Sequence, residues 1–441
     1  MPQATFNFPP GFLWGTATAA HQVEGNNTNN TWYEWENTPG HIQQGHKSGL
    51  ACDWWGGRWK EDLDRAAEAG QNAHRFSVEW SRIQPAPDRW DEDALDHYRQ
   101  MARGMRDRGL TPMVTLHHVT DPLWLAEQGG WENDETPQKF STFVRRAVEA
   151  LKEYVSLWVT VNEPNIYAAF GYLLGIFPPG KTDPQAAFSV LYNLLRGHVL
   201  AYRAIHEIQT TAQASIAYNY RPFHPAYAWS PPDRIMASVA NLAYNTAFPE
   251  ALRSGRLNIL TKRVRVPEAL NTLDYFGLNF YSPENVGLGL GNNSPLLHRS
   301  LPRGVETGDA GMTANVPSEL FRAIKWVQGF KLPVFITENG IEDAADLVRP
   351  KYLTQHVHQL WRAINFNWPI KGYFFWSQVD NFEWERGWTQ RFGLWGLDPN
   401  TQVRTRRTSA LVYGDICHTN SISSTMVEKY IPALTPVLFP G

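Results

Sequence analysis

Two stretches of the chain pair an apolar run with a glutamate at its end. The first, Leu157 to Pro164 (LWVTVNEP), delivers Asn162 and Glu163 and stops at a proline. A proline has no N–H for a strand ladder, so the chain must turn there. The second, Leu332 to Gly340 (LPVFITENG), delivers Glu338 ahead of an Asn-Gly turn. Two carboxyls at the ends of two strands, with no cysteine or histidine spacing that suits a metal, point to acid/base and nucleophilic work at an acetal carbon. One carboxyl must keep a proton for the leaving oxygen, and the other must be ionised. Separated by roughly 5 to 5.5 Å, they would act by double displacement with retention. Arg75, Tyr281 and Asn279 are the candidates to hold Glu338 ionised, which makes Glu163 the acid/base.

Those glutamates need elements that bring them together. Apolar, β-branched runs read as strands beginning near Phe12, Ala73, Met113, Leu157, Ser215, Tyr275, Leu332 and Gly372. Helical periodicity separates them: Leu63, Ala66 and Ala67 before a capping Gly70; Leu95, Tyr98, Ala102 and Met105; and Phe140, Phe143, Val144, Ala147 and Leu151 behind Thr136 as cap and Pro137 in the first turn. Leu320, Phe321, Ile324 and Val327, then Leu353, Val357, Leu360, Trp361 and Ile364, continue the alternation. Strands alternating with helices require a parallel sheet, and eight of them in 441 residues close most economically into an α/β (β/α)8 TIM barrel.

The Gly/Pro/Asn-rich stretches 26–48, 177–184, 223–234 and 286–317 follow strands, so they are expected as long loops at the C-terminal face, walling a pocket. No linker divides the chain, which reads as one catalytic domain over residues 1–441, with 420–441 an extension packing on the barrel. Collected at the strand ends are Gln22, Arg75, His118, Asn162, Glu163, Asn279, Tyr281, Glu338 and Trp376, with Glu383, Trp384 and Phe392 just beyond. Every strand except the fifth contributes a clear polar or aromatic group.

The bulk composition excludes several classes. A net charge of -3 offers no electrostatic footprint for nucleic acid or an anionic membrane, and no apolar run is long enough for a span. Cys52 and Cys417 stand far apart and build no disulfide framework, and the N-terminus lacks a signal-like pattern. A cytoplasmic location is expected. The 19 Trp are read mainly as core, with a minority beside polar residues as flat surfaces for sugar faces. His117 is read as structural, because His118 takes the inward position; Trp54, Trp55 and Trp59 as packing; Glu24 as a buttress; Asp53 and Asp121 as loop or cap residues; and Cys417 as a buried small hydrophobe.

The sequence resembles glycoside hydrolase family 1, the β-glucosidase family of retaining (β/α)8 barrels. The resemblance rests on Phe12–Gly25 (FLWGTATAAHQVEG), Arg75–Ile83 (RFSVEWSRI), Thr160–Pro164 (TVNEP), Asn279–Tyr281 (NFY), Ile336–Gly340 (ITENG), Trp376–Trp384 (WSQVDNFEW) and Arg391–Leu394 (RFGL), in that order over nearly the whole chain. It implies that Glu163 is the acid then base and Glu338 the nucleophile. Asn162 would bind the 2-hydroxyl; Gln22, His118 and Trp384 the 3- and 4-hydroxyls; and Glu383 the 4- and 6-hydroxyls. Trp376 would be the stacking surface, and Phe392 would line the pocket beside the 6-hydroxymethyl. No cofactor or metal is implied, and the substrates would be β-glucosides and cello-oligosaccharides such as cellobiose, with β-galactosidase and β-fucosidase side activity. An oligomer is compatible with the sequence. Departures from the common pattern fall at Val119–Pro122 (VTDP), at Gln378 and Val379, and at Phe280.

Three alternatives accompany that expectation. A 6-phospho-β-glycosidase would need cationic or hydroxyl donors where this chain has Glu383, whose charge repels a phosphate. A transglycosylase would pass the glycosyl group to a sugar hydroxyl instead of water. A noncatalytic sugar-binding protein would be marked by loss of a glutamate, and both are present.

Overall fold

The computed structural model describes residues 4–289 and 297–440. Eight strands form a closed barrel: β1 (Leu13–Ala17), β2 (Ala73–Ser77), β3 (Thr111–His117), β4 (Leu157–Asn162), β5 (Gln213–Asn219), β6 (Phe276–Asn279), β7 (Val334–Asn339) and β8 (Ile370–Trp376). Each pairs in parallel with its sequence neighbours, and β8 closes on β1. β4 and β7 are buried along their whole length, as both-faced burial between a filled interior and a helical ring demands.

The main helices are α1 (Trp59–Glu68), α2 (Glu92–Asp107), α3 (Thr136–Leu151), α4 (Pro184–Ile208), α5 (Ala247–Ser254), α6 (Pro317–Val327), α7 (Arg349–Asn365) and α8 (Thr408–Thr419), of which the periodicity places α1, α2, α3, α6 and α7. Asp91 caps α2 by accepting from the Ala94 N–H at 2.9 Å. Gly70, φ +73°, turns the chain out of α1 in the left-handed conformation. The start of α3 differs from expectation. Thr136 is its first helical residue, and its hydroxyl donates to the Gly130 carbonyl at 2.5 Å, so it anchors the preceding turn instead of capping.

The loops at the strands' C-terminal ends carry structure of their own. After β5, strand Phe223–Pro225 pairs with Glu284–Leu288, which pairs in turn with Leu297–Ser300, and helix Pro231–Ala240 packs beside them. Residues 290–296 of the expected 286–317 loop lie outside the described residues. At the opposite end, Ser421–Ser423 pairs antiparallel with Thr5–Asn7, and Phe439 stacks on Phe6 at 4.6 Å. Among the described residues no helix is long and apolar enough to cross a membrane.

Most indoles are core. Trp14, Trp32, Trp54, Trp80, Trp131 and Trp158 are almost fully buried. Trp54 donates to Asp62 at 2.9 Å, and Trp55 lies under the Arg82 guanidinium at 3.8 Å, both packing roles.

Candidate active site

Glu163 leaves β4 with φ 47° and ψ 57°. This left-handed conformation, sparsely populated for a residue other than glycine, lies between β4 and the helical turn that Pro164 opens. Its Oε1 accepts from Asn219 Nδ2 at 2.7 Å and from Asn279 Nδ2 at 2.9 Å. Burial, reinforced by the neighbouring Glu338 charge, pushes the Glu163 carboxyl up to about 7, against the opposing pull of the two amides and the more distant Arg221. A carboxyl in that range can hold a proton at neutral pH and give it up.

Glu338 ends β7 in a different environment. Arg75 Nη1 donates to its Oε1 at 2.6 Å, and the Tyr281 hydroxyl donates to its Oε2 at 2.6 Å. Arg75 is fully buried and spends its remaining donors on Asn162 Oδ1 at 2.7 Å, Thr115 Oγ1 at 3.0 Å and the Thr337 carbonyl at 3.2 Å. Charge-assisted bonds of this kind are short and directional, and they orient the carboxylate.

Asn279 does not act as expected on Glu338. A pairing irregularity between β6 and β7 falls at Leu278/Asn279, and Thr337 Oγ1 donates to Asn279 Oδ1 at 2.6 Å. Its Nδ2 therefore points to Glu163 and to Asn162 Oδ1, the latter at 3.1 Å. Asn279 belongs to the Glu163 side of the site.

The remaining expected residues gather around the same rim. Asn162 Nδ2 lies 3.1 Å from His118 Nε2. Because Asn162 Oδ1 is occupied by Arg75, that imidazole nitrogen is the acceptor, and burial together with the Arg75 charge holds His118 well below the ordinary histidine range, neutral. Its ring lies 6.1 Å from both Trp376 and Trp384, near parallel to each. Gln22 Nε2 donates to the Phe382 carbonyl at 2.8 Å, Asn381 Oδ1 at 3.1 Å and Glu383 Oε2 at 3.2 Å, while Gln22 Oε1 meets no protein donor. Burial, then repulsion from Glu385 and Glu338, pushes Glu383 up to about 8. Phe392 meets Tyr281 edge-on at 6.1 Å.

The flanking residues divide. His117 is structural: with Trp131 and Tyr167 it converges on Asp121, which is 2% exposed. Asp121 lies in the loop after β3, as expected, and is in addition a buried anchor. Glu24 accepts from Arg82 at 2.7 Å and Tyr98 at 2.8 Å, a buttress behind β1 and β2. Sequence reasoning passed over Asn219 at the end of β5. Its signal was an amide closing an otherwise apolar strand, the same signature that marked Asn162 and Asn279. Among the described residues no group of three or more His, Cys, Asp or Glu side chains could hold a metal ion.

A parallel (β/α)8 barrel whose C-terminal rim carries two glutamates in unlike surroundings, ringed by amides, an imidazole and indoles, defines a glycoside hydrolase. Residues 4–422 match the family model for glycosyl hydrolase family 1, and the chain belongs to that family. It is 32% identical to β-glucosidase A of Thermotoga maritima over 445 residues, covering 94% of this chain and 98% of that one. It is 29% identical to a β-galactosidase of Saccharolobus solfataricus, covering 98% and 99% respectively. Among solved structures, a β-glycosidase from Pyrococcus horikoshii superposes with a TM-score of 0.89 at 33% identity, covering 97% of this chain and 98% of that one.

Proposed function

We propose that the protein is a retaining exo-β-glycosidase, chiefly a β-glucosidase, that removes terminal β-D-glucosyl residues from β-glucosides and cello-oligosaccharides. The observation that carries this reading is the unequal dressing of two carboxyls on one rim. Glu338 is bonded by a guanidinium and a phenol, whereas Glu163 receives only neutral amides and is pushed up to about 7 by burial. Two carboxyls in environments as unlike as these can divide the acid and nucleophile roles.

In the first step a Glu338 oxygen attacks the anomeric carbon. The bond to the leaving oxygen breaks, and that oxygen takes the Glu163 proton. In the second, Glu163, now ionised, accepts a proton from water as the water oxygen attacks the anomeric carbon and frees Glu338. Asn162, held by Arg75 and placed beside Asn279, is positioned for the 2-hydroxyl, whose hydrogen bonds strengthen in the transition state. Gln22, His118, Glu383 and Trp384 would grip the far side of the ring, Trp376 would stack on it, and Phe392 would line its 6-hydroxymethyl side. The 4-epimers are gripped by the same group, which supports galactosidase and fucosidase side activity. A cytoplasmic setting is supported by Cys52 and Cys417, both buried and unpaired.

The test is hydrolysis of aryl β-glucoside, β-galactoside, β-fucoside, β-glucoside 6-phosphate and α-glucoside by wild type and Glu338→Ala. Turnover of unphosphorylated β-glycosides should vanish in the variant, and azide should restore it with inverted configuration. Substantial activity in Glu338→Ala without azide would overturn the assignment.

A further inference from the structure

The segment that follows β5 reaches back to the acid/base through a chain of oriented groups. Asn219 Nδ2 donates to Glu163 Oε1, and its Oδ1 accepts from the Tyr244 hydroxyl at 2.8 Å. An Asn amide can rotate by half a turn and exchange its donor for its acceptor. The Tyr244 hydroxyl, kept protonated by burial, would lose its acceptor on such a turn. Tyr244 lies in the π-helical turn Asn241–Thr246, a local geometry that recurs at functional sites. That turn is itself clamped. Asn165, two residues past Glu163, donates to the Asn219 carbonyl at 2.8 Å and the Tyr244 carbonyl at 3.3 Å. Asn245 brackets the Arg221 backbone at 2.7 and 2.9 Å, and Phe223 meets the Tyr244 ring edge-on at 5.4 Å.

Two amide donors on Glu163 Oε1 leave it the role of a carbonyl oxygen when the acid is protonated. The transferable proton then sits on Oε2. We infer that Tyr244 is a positioning residue for the acid/base: by locking the Asn219 amide it keeps a donor on Glu163 Oε1 and so reserves Oε2 for the proton passed to the leaving group. This rests on the acid/base reading of Glu163. The charged and titratable groups around that carboxyl come from four places: Glu338 on β7, Tyr281 beyond β6, Arg221 beyond β5 and Tyr244 in the turn. Arg221 is already engaged by Glu284, which Arg299 also binds at 2.6 and 2.8 Å, so it does not replace the amide.

The experiment is a pH series of kcat/KM for the full-length enzyme and its Tyr244→Phe variant. Methyl β-glucoside serves as the poor leaving group and 2,4-dinitrophenyl β-glucoside as one that needs no protonation. Without its lock the amide can turn its oxygen to Glu163, which then favours the protonated acid. The basic limb should move up by about one pH unit, and the methyl glucoside should lose about tenfold more than the dinitrophenyl glucoside, the effect of one hydrogen bond. Asn219→Ala, which removes the donor outright, should move the limb the same way and covers the case of a Tyr244→Phe protein that does not fold. An unmoved basic limb in the folded variants, with equal losses on both substrates, would overturn the inference while leaving the glycosidase reading intact. A wild type inactive on both glucosides would overturn the glycosidase reading first.

Discussion

Arg75 and Glu338 meet at 2.6 Å between Nη1 and Oε1, with the guanidinium at 0% and the carboxylate at 4% side-chain exposure. The other arm of the same guanidinium holds Asn162, so one planar group fixes both the proposed nucleophile and the amide proposed for the 2-hydroxyl. Arg75→Met should abolish most turnover and destabilise the fold by about 3 to 5 kcal/mol, because it leaves a buried carboxylate unpaired. Arg75→Lys retains the charge but cannot span both partners, so kcat should fall with less loss of stability. Steady-state kinetics beside chemical denaturation would separate the two effects. A Lys variant with wild-type kcat would refute the bidentate positioning.

As the proposed acid/base, Glu163 should set the basic limb of activity. Its carboxyl is pushed up to about 7, and the proton must be present for departure of a poor leaving group. Plots of kcat/KM against pH for methyl β-glucoside should fall on the alkaline side with a midpoint near that value. Glu163→Ala should nearly abolish activity on that substrate, by about 10²- to 10⁴-fold, and spare the glycosylation step of dinitrophenyl glucosides. Equal losses on both substrates would remove Glu163 from the acid role.

The eight strands were legible because each is a largely apolar run, and burial on both faces leaves little room for another pattern. Strand ends could be read, but lateral reach could not. Asn279 was assigned to Glu338 because both belong to one rim. The pairing irregularity beside it and the Thr337 hydroxyl turn its amide the other way, and neither can be seen without the sheet register. Asn219 was passed over because its meaning depends on Tyr244, 25 positions away in a turn formed by the loop. Asp121 has the composition of a loop residue beside Pro122 and is one, but its enclosure by His117, Trp131 and Tyr167 depends on tertiary contacts that composition does not carry.

The contribution of the raised carboxyls to stability should fall as pH rises through their window. Glu383 lies 8% exposed with its carboxyl pushed up to about 8 from an ordinary value of 4.5, and Glu163 and Glu24 are pushed up to about 7. At these three carboxyls the folded state holds more protons than the unfolded state between about pH 4.5 and 8, so their own contribution to unfolding free energy decreases with rising pH across that range and levels off above it. Buried histidines such as His21 and His74, lowered to about 3, contribute with the opposite sign below about pH 6.5. Glu383→Gln removes the largest of these contributions. Its Tm should exceed that of wild type by ~2 °C or more at pH 8, with a smaller difference at pH 5, while activity on glucosides falls. A calorimetric series showing equal Tm differences at both pH values would contradict the burial argument.

Gly340 offers a test of how tightly the two catalytic strand ends are packed. It follows Asn339 at the end of β7, and a Cβ there would lie 2.1 Å from the Trp376 carbonyl oxygen and 3.3 Å from the Trp376 Cβ. The obstacle is backbone, which cannot rotate aside as a flexible side chain would. Gly340→Ala must therefore push the end of β8 away from the end of β7. Trp376 is the proposed stacking surface, and Glu338 lies two residues before the substitution, so the change alters the distance between sugar and nucleophile without touching either side chain. A misplacement of about 1 Å costs on the order of 10²-fold in rate, and overpacking of this kind costs about 1 to 3 kcal/mol of stability. Gly329→Ala is the matched control, since a Cβ at that position meets nothing within 4 Å. Gly340→Ala should lose kcat/KM steeply while still folding, and Gly329→Ala should behave as wild type. Wild-type kcat/KM in a folded Gly340→Ala protein would show that the strand ends can separate without cost, and that the rim is not the rigid frame on which the two glutamates depend.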